Sequence, residues 1–173
     1  TDSGNYELEY CLRDTDNSKS PIETETSELF RVKQPLTCGQ NKISMTIPVD
    51  NPRKWDITDP YLYDLQVCLW REQETNSREL CQQEHFRIGF RTIQFDPDRG
   101  FLLNGRKIRL NGTCDHHDLG ALGAAFHKEA MRRKFELMRS MGVNAVRTSH
   151  NMPAVELMEL ADEMGFLIVS EAF

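Results

Sequence analysis

The sequence predicts a mixed fold: an antiparallel β-sandwich in residues 1–95, followed by a parallel α/β region in residues 96–173. Two patterns support this prediction. Apolar and polar residues alternate in the first part, whereas apolar residues in two segments of the second part recur with the spacing of a helix. We place the domain boundary at residues 95–100, because this turn-rich stretch separates the two patterns.

Three segments of the first part have the alternation of strands with one solvated face. Their apolar residues are Tyr6, Leu8 and Tyr10, then Ile43, Met45 and Ile47, then Leu65, Val67 and Leu69. Turn-forming residues at 14–18, 38–41, 51–52 and 76–77 separate the segments at the short intervals of an antiparallel sandwich. Trp55 and Trp70 are interpreted as sandwich core or as packing between domains.

Three short hydrophobic runs in the second part predict strands. They occupy residues 107–114, 144–148 and 166–169. Because segments with helical periodicity lie between them, the strands are expected to be parallel neighbours joined by crossover helices.

The two connecting segments predict helices. In residues 127–141, apolar side chains recur at i, i+4 and i+7 from Met131, which places them on one face. Gly142 suits a left-handed position just past the end of that helix. The second helix is expected to begin near Pro153 and to end at Gly165.

Each predicted strand is followed by ionisable side chains. They are Asp115, His116, His117 and Asp118 after the first strand, His150 after the second and Glu171 after the third. The carboxyl ends of parallel strands meet at one rim, which is where α/β folds place their chemistry. Because neighbouring residues of an extended chain point to opposite faces, Asp115 and His117 are expected on the side away from His116.

The composition argues against several kinds of partner. The net charge is −6 and the two signs are interspersed, so no clustered positive surface for nucleic acid is expected. No apolar run is long enough to span a membrane, so no membrane partner is expected. The five cysteines lack metal-ligand spacing and are interpreted as buried free thiols.

Four motifs follow one another along the chain. They are DPYLY at residues 59–63, IGFR at 88–91 with FLLNGR at 101–106, NAVRTSH at 144–150, and DEMGF at 162–166. In this order and spacing they resemble glycoside hydrolase family 2, the group that contains the β-galactosidases, β-glucuronidases and β-mannosidases.

The resemblance implies a more specific fold. Residues 1–95 would be a partial immunoglobulin-like β-sandwich, and residues 96–173 the first three β/α units of a TIM (β/α)8 barrel. The apolar side chains expected to face the barrel interior are Ile108, Leu110, Val146, Ile168 and Val169. Because such a chain exposes edges and apolar surface, we expect that it either associates with other copies or is an excerpt of a larger folded protein.

The resemblance also implies a function. It indicates a β-galactosidase-like enzyme that hydrolyses terminal β-linked sugars with retention, with β-glucuronidase or β-mannosidase as alternatives. Retaining glycosidases use two carboxyl groups, and both glutamates of the family are expected beyond Phe173, so no catalytic residue is predicted in this chain. The implied partner is a carbohydrate, without an organic cofactor or a metal ion. Cytoplasmic and periplasmic or secreted locations both stay open.

The resemblance assigns four residues to sugar binding: His116, Asp118, Arg147 and His150. His116 and Asp118 match substrate-facing positions of the family, and His150 closes the NAVRTSH motif. Arg147 has a structural alternative as the buried ion-pair partner of a neighbouring carboxylate.

Two further residues are expected to support the site, namely Asp115 and Glu171. The sequence departs from the family where Cys114, Asp115 and His117 replace the usual asparagine, basic residue and glutamate. This departure bears on which sugar is preferred.

Two other functions use the same residues. The histidines and carboxylates after the predicted strands are ligand types that zinc prefers, which is the basis for a metal-dependent barrel hydrolase. Adjacent His116 and His117 would point apart in a strand, however, and no His-x-His spacing is present, so no metal ligand is predicted. The third alternative is a pair of domains without activity of its own.

Overall fold

The computed structural model describes residues 3–15, 28–73 and 77–172. Residues 16–18 and 76 of two predicted turns lie outside these ranges. The chain divides into two compact units. The first comprises Thr1–Pro52 and Leu62–Ile88, and the second comprises Arg53–Tyr61 and Gly89–Phe173.

The first unit contains a four-stranded antiparallel sheet in the order β2-β1-β3-β4. Its strands are β1 (Gly4–Arg13), β2 (Glu28–Leu36), β3 (Tyr63–Glu72) and β4 (Arg78–Ile88). Tyr6 and Leu12 of β1 and Cys68 of β3 are buried. The strands predicted around Tyr6 and Leu65 are therefore confirmed as β1 and β3.

The strand predicted at Ile43, Met45 and Ile47 is wrong. These three side chains are half-buried and the residues between them are exposed, so the alternation has its expected effect on burial. The segment nevertheless forms no ladder with a described strand. Alternation makes a chain amphipathic, whereas a strand also needs a neighbour to accept and donate its backbone hydrogen bonds.

In its described residues the second unit contains two small sheets, two α-helices and a short 3-10 helix (Gly120–Leu122). An antiparallel sheet in the order β5-β6-β7 is made of β5 (Ile93–Asp96), β6 (Gly100–Leu103) and β7 (Arg106–Lys107). A parallel sheet in the order β10-β9-β8 is made of β8 (Gly112–Asp115), β9 (Ala145–Thr148) and β10 (Leu167–Ser170). Helices α1 (Lys128–Ser140) and α2 (Val155–Met164) connect the parallel strands, as predicted.

The single strand predicted over residues 107–114 is divided between the two sheets. Lys107 pairs with Leu102 in the antiparallel sheet, and β8 begins only at Gly112. The intervening backbone is held by the side chain of Asn144, which donates to the carbonyl of Arg109 over 2.9 Å and accepts from the N–H of Asn111 over 2.9 Å. The amide of Asn144 thus takes the place of backbone hydrogen bonds from a neighbouring strand at the carbonyl of Arg109 and the N–H of Asn111. A hydrophobic pattern does not reveal such a side-chain contact.

The main core of the second unit lies between the parallel sheet and the helices. It contains Met131, Phe135 and Met138 of α1, Leu157, Leu160 and Ala161 of α2, and Val146 and Phe166. Val146 is fully buried there and Ile168 packs against the same cluster, so the prediction that both face the barrel interior is wrong. Because these strands carry apolar residues on both faces, their hydrophobic pattern does not show which residues face the helices.

The other three residues of that prediction have different environments. Val169 is 53% exposed on the face away from the helices, as expected. Ile108 and Leu110 lie outside any strand, in the segment of chain that connects β7 of the antiparallel sheet to β8 of the parallel sheet.

The segment Arg53–Tyr61 belongs to the second unit. Trp55 is 1% exposed, and its indole N–H donates to the carbonyl of Asp162 over 2.8 Å. Its own carbonyl accepts from the side chain of Asn104 over 3.0 Å. Trp55 is therefore part of the core of the second unit, while the boundary between residues 95 and 96 stays a prediction.

All five cysteines are free thiols, but the prediction that they are buried is wrong for three of them. Cys68 is buried and Cys11 is half-buried. Cys38, Cys81 and Cys114 are exposed. Cys38 lies in a turn, Cys81 on solvent-exposed β4, and Cys114 on the face of the parallel sheet that is turned away from the helices. Within the described ranges, no helix is long and apolar enough to cross a membrane.

Candidate functional site

The register of the parallel sheet aligns side chains from its three strands. Cys114, Arg147 and Val169 form one row of register partners. The preceding row, Thr113, Val146 and Ile168, faces the helices, so alternation puts the Arg147 row on the opposite, open face. All three residues of the Arg147 row are exposed.

Four side chains meet at the carboxyl ends of these strands, and we call them the rim cluster: His116, Arg147, His150 and Glu171. Arg147 Nε donates to Glu171 Oε1 over 2.6 Å, and Nη2 of the same guanidinium is also ion-paired with this oxygen. His150 Nδ1 lies 3.4 Å from Glu171 Oε2. One carboxylate therefore organises a cation and an imidazole from the neighbouring strand.

His116 joins the cluster through His150. The two imidazole rings are 5.3 Å apart at their centroids and inclined at 70°, an edge-to-face arrangement. Both histidines are exposed, and the His150 side chain is 67% exposed. Their remaining ring nitrogens are thus accessible to the hydroxyl groups of a ligand.

Backbone contacts hold the strand ends that carry the cluster. The N–H of Ser149 donates to the carbonyl of Asp115 over 2.8 Å, and the N–H of Glu171 donates to Thr148 Oγ1 over 3.3 Å. Thr148 and Ser149 are buried, and the Ser149–His150 peptide bond is cis. The two hydrogen bonds hold the strand ends to one another, which restricts where the side chains of the cluster can lie.

Arg147 has features of both roles proposed for it, as a sugar-binding residue and as a structural ion-pair partner. The hydrogen bond to Glu171 raises the pKa of the Arg147 guanidinium, and a contact from Nη1 to the Cys114 sulfur at 3.7 Å contributes in the same direction. The ion pair of the structural alternative is present. The Arg147 side chain is 45% exposed, so it is accessible to a ligand and the alternative's expectation of burial is wrong.

Asp115 and His117 lie on the helix side of the same strand end, as the alternation predicts. Both line a cavity of about 120 Å³ together with residues of α1, α2 and the β8–α1 connection. Asp115 is 2% exposed and its carboxylate is ion-paired with Lys134 of α1. Among the described residues, His117 Nε2 is buried without a hydrogen-bond partner.

Asp118 is the predicted sugar-binding residue that the structure places apart from the rim cluster. Its side chain is 72% exposed, and Asp118 Oδ1 lies 3.9 Å from Lys134 Nζ. Its carbonyl accepts from the same ammonium over 2.7 Å. The interaction shown for Asp118 is therefore with α1, and its contact with a sugar stays a prediction.

Lys134 is the polar residue of this region that sequence reasoning missed. Its position three residues after Met131 and four before Met138 places it beside the apolar stripe of α1. A lysine beside an apolar stripe buries its aliphatic stem along that stripe and keeps its ammonium at the edge of the apolar surface. The sequence therefore contains a signal for a cation at the edge of the helix–sheet interface. In the described part of the chain, no three His, Cys, Asp or Glu side chains are grouped closely enough to hold a metal ion.

The fold and the rim cluster first define a class of protein. An antiparallel unit followed by parallel β/α elements, with polar side chains gathered at the strand ends, is typical of an enzyme that carries its site on a barrel. Residues 1–91 match the family described as "Glycosyl hydrolases family 2", and residues 97–173 match "Glycosyl hydrolases family 2, TIM barrel domain". The chain belongs to glycosyl hydrolase family 2, with its sandwich domain and the start of its barrel domain.

Curated relatives include two kinds of glycosidase. "Beta-galactosidase BoGH2A" of Bacteroides ovatus is 44% identical over 127 residues, which are 73% of this chain and 14% of that protein. A "Putative beta-glucuronidase" of Formosa agariphila is 32% identical over 130 residues, which are 75% of this chain and 12% of that protein.

Solved structures support the same assignment. A glycosyl hydrolase family 2 member from Bacteroides cellulosilyticus superimposes with a TM-score of 0.85 at 33% identity, over 99% of this chain and 22% of that one. A Bacteroides uniformis β-glucuronidase superimposes with a TM-score of 0.80 at 30% identity, over 99% of this chain and 19% of that one. The chain thus spans 12–22% of the length of these four relatives.

Proposed function

We propose that this chain is part of a longer retaining β-glycosidase and supplies one side of its sugar-binding site. Its first region is an immunoglobulin-like sandwich, and its second region provides the first three β/α units of the barrel. The observation that carries the proposal is the rim cluster, in which Glu171 is shared by Arg147 and His150 on the open face of the sheet. Membership of family 2 supports the same function.

His116 and His150 are the groups proposed to contact the sugar directly. Each has an exposed imidazole that can donate to or accept from a hydroxyl group. Arg147 would orient Glu171 and, through it, His150, while Asp118 would add a polar contact at the edge of the site. Asp115 and Glu171 would support the binding residues, and neither would attack the sugar.

A terminal β-galactoside is the proposed substrate, and a β-glucuronide is the second candidate because relatives of both names are similar to this chain. A glucuronide carries a carboxylate, which is recognised best by a cation that is not already neutralised. The Arg147 guanidinium is ion-paired with Glu171, so the cluster favours a neutral sugar. The preference for a galactoside rests on this pairing.

The chemistry of hydrolysis would require two carboxyl groups about 5 Å apart, one as acid/base and one as nucleophile. We propose that both are supplied by later barrel strands of the longer protein. The 173-residue chain is then expected to bind part of the sugar without cleaving it.

A direct comparison of the longer protein with the 173-residue chain tests the proposal. Nitrophenyl β-galactoside and nitrophenyl β-glucuronide would be assayed side by side. We expect turnover of the galactoside by the longer protein and only the uncatalysed rate with the chain. Turnover by the chain that is abolished in Glu171→Gln would instead make Glu171 a catalytic residue.

A further inference from the structure

We propose that Lys134 is a positioning residue for the sugar-binding rim. It would hold the turn of residues 115–118, which places His116 beside His150. This inference rests on the proposed function for its effect on sugar turnover, while its structural part can be measured independently.

The Lys134 ammonium binds both ends of the turn. It is ion-paired with the carboxylate of Asp115 at the end of β8, and it donates to the carbonyl of Asp118 over 2.7 Å. His116 and His117 lie between these two attachment points. One side chain on α1 therefore constrains a turn that carries a rim residue on one side and a cavity residue on the other.

The turn includes one residue whose backbone conformation is energetically unfavourable. His117 has φ = +55°, in the left-handed region that non-glycine residues adopt at a cost. This left-handed residue lies just past β8, where the chain leaves the strand with the His116 ring on the open face and His117 lining the cavity. Without the bond to the Asp118 carbonyl, we expect the turn to relax and the His116 ring to leave its position against His150.

Lys134 is itself placed by the core. Its neighbours on α1, Met131, Phe135 and Met138, are buried in the cluster between helix and sheet. A helix anchored in this way restricts the origin of the lysine side chain, so the ammonium can act as a fixed point for the loop.

Compensation of a buried charge is the competing explanation. Asp115 is 2% exposed, and a buried carboxylate needs a cation whether or not the turn has a function. The double variant Asp115→Asn/Lys134→Met separates the two explanations, because it removes both charges and still leaves the Asp118 carbonyl without its ammonium. It also guards against a Lys134→Met variant that simply fails to fold.

The experiment uses the longer protein with four variants: Lys134→Met, Lys134→Arg, the double variant, and Lys128→Met as the matched control. Lys128 lies on the same helix, and its ammonium pairs with Glu163 of α2 at 3.6 Å. For Lys134→Met and for the double variant, we expect kcat/KM for a nitrophenyl β-galactoside to fall about 10- to 100-fold. Lys134→Arg should restore part of the loss, and Lys128→Met should match the wild type.

Amide hydrogen exchange provides the readout that does not depend on activity. Peptides covering residues 115–126 should exchange faster in Lys134→Met and in the double variant, and at the wild-type rate in Lys128→Met.

Unchanged exchange in the double variant overturns the inference, whether or not the protein is a glycosidase. A double variant that recovers wild-type kcat/KM also overturns it, because Lys134 would then only neutralise Asp115. A wild-type protein without turnover contradicts the proposed function, and the exchange rates still decide the role of Lys134.

Discussion

Arg147 and Glu171 connect two neighbouring strand ends: Arg147 Nε donates to Glu171 Oε1 over 2.6 Å, from β9 to the residue just after β10. The second oxygen of the same carboxylate lies 3.4 Å from His150 Nδ1. Because each oxygen of Glu171 engages a different partner, one carboxylate holds both the guanidinium and the imidazole. The consequences of breaking this relationship differ for neutral and for acidic sugars.

Glu171→Gln is expected to lower activity on a neutral sugar and to change the substrate preference. The amide keeps the shape of the carboxylate but loses its charge. The hydrogen bond from Arg147, worth about 1.5–3 kcal/mol with a charged acceptor, is therefore weakened, as is the contact with His150 Nδ1. In the longer protein, kcat/KM for a β-galactoside should fall about 10- to 100-fold. Arg147 is then no longer neutralised, so the loss for a β-glucuronide should be smaller.

The control for this variant is Glu136→Gln, which makes the same change at an exposed position of α1. It should leave both rates unchanged. Equal losses on the galactoside and the glucuronide in Glu171→Gln would show that the charge of Arg147 does not discriminate between the two sugars.

His150→Phe tests direct contact with the sugar. The phenyl ring keeps most of the volume and the edge-to-face packing with His116, but it cannot exchange hydrogen bonds with a hydroxyl group. If the hydrogen bond between His150 and a sugar hydroxyl strengthens in the transition state, its loss should raise the activation free energy by about 2–4 kcal/mol and lower kcat/KM accordingly. The measurement is steady-state kinetics of the longer protein on the galactoside.

His85→Phe is the matched control, since His85 is exposed on β4 in the first unit. Its kcat/KM should equal that of the wild type. A folded His150→Phe variant with unchanged kcat/KM would assign His150 a structural role.

The positions of the helices and of the rim could be predicted from the sequence because local patterns determine them. The apolar stripe that begins at Met131 predicted helix α1 correctly. Gly142 and Gly165 have the left-handed φ expected just past each helix. The strand ends placed His116 and His150 on one rim, since the carboxyl ends of parallel strands must meet. Each of these predictions depends on residues near in sequence or on a general rule of chain topology.

Contacts between residues distant in sequence account for what was not predicted. Trp55 donates to the carbonyl of Asp162, and Asn144 binds the backbone of residues 109–111, yet no local pattern indicates either contact. The face of Val146 was also predicted wrongly, because a strand with apolar residues on both sides does not indicate which face the helices cover. For the same reason the attachment of Lys134 to the β8 turn becomes evident only in three dimensions.

Asp56 is expected to make the stability of the second unit depend on acid pH. Burial by itself would raise the pKa of this carboxyl, but hydrogen bonds from Arg106, at 2.6 Å, and from Thr58 lower it below its ordinary value of 3.8. A carboxyl whose pKa is lower in the folded state stabilises the fold above the ordinary value, and this contribution is lost as pH falls through the folded-state pKa.

Asp56→Asn should therefore lower the free energy of unfolding at pH 7 by about 1.5–3 kcal/mol, and the difference from the wild type should shrink as the pH falls below 3.8. Denaturant titrations at several pH values measure it. Asp59→Asn is the control, because the ion pair of Asp59 with Arg53 is half-exposed and should contribute at most about 1 kcal/mol. A difference that grows on acidification would contradict the assigned sign.

Gly165→Ala is expected to destabilise the second unit strongly, because two separate constraints apply at this position. Gly165 has φ = +71°, which places it in the left-handed region. A Cβ at this position would also lie 2.6 Å from the carbonyl oxygen of Ile57, in the segment that carries Trp55. The left-handed conformation alone costs an alanine about 1–2 kcal/mol. The contact with the Ile57 carbonyl should add to that cost, because backbone atoms cannot move aside as a flexible side chain can.

Gly142→Ala isolates the second constraint. Gly142 follows α1 as Gly165 follows α2 and has a similar φ of +80°, but a Cβ there would meet nothing within 4 Å. Thermal or denaturant unfolding should give a loss of about 1–2 kcal/mol for Gly142→Ala and a clearly larger loss for Gly165→Ala. The excess measures how firmly residues 53–61 are held against the end of α2. Equal losses in the two variants would mean that this segment moves away to admit a methyl group, and that Trp55 and its hydrogen bond to Asp162 do not fix it there.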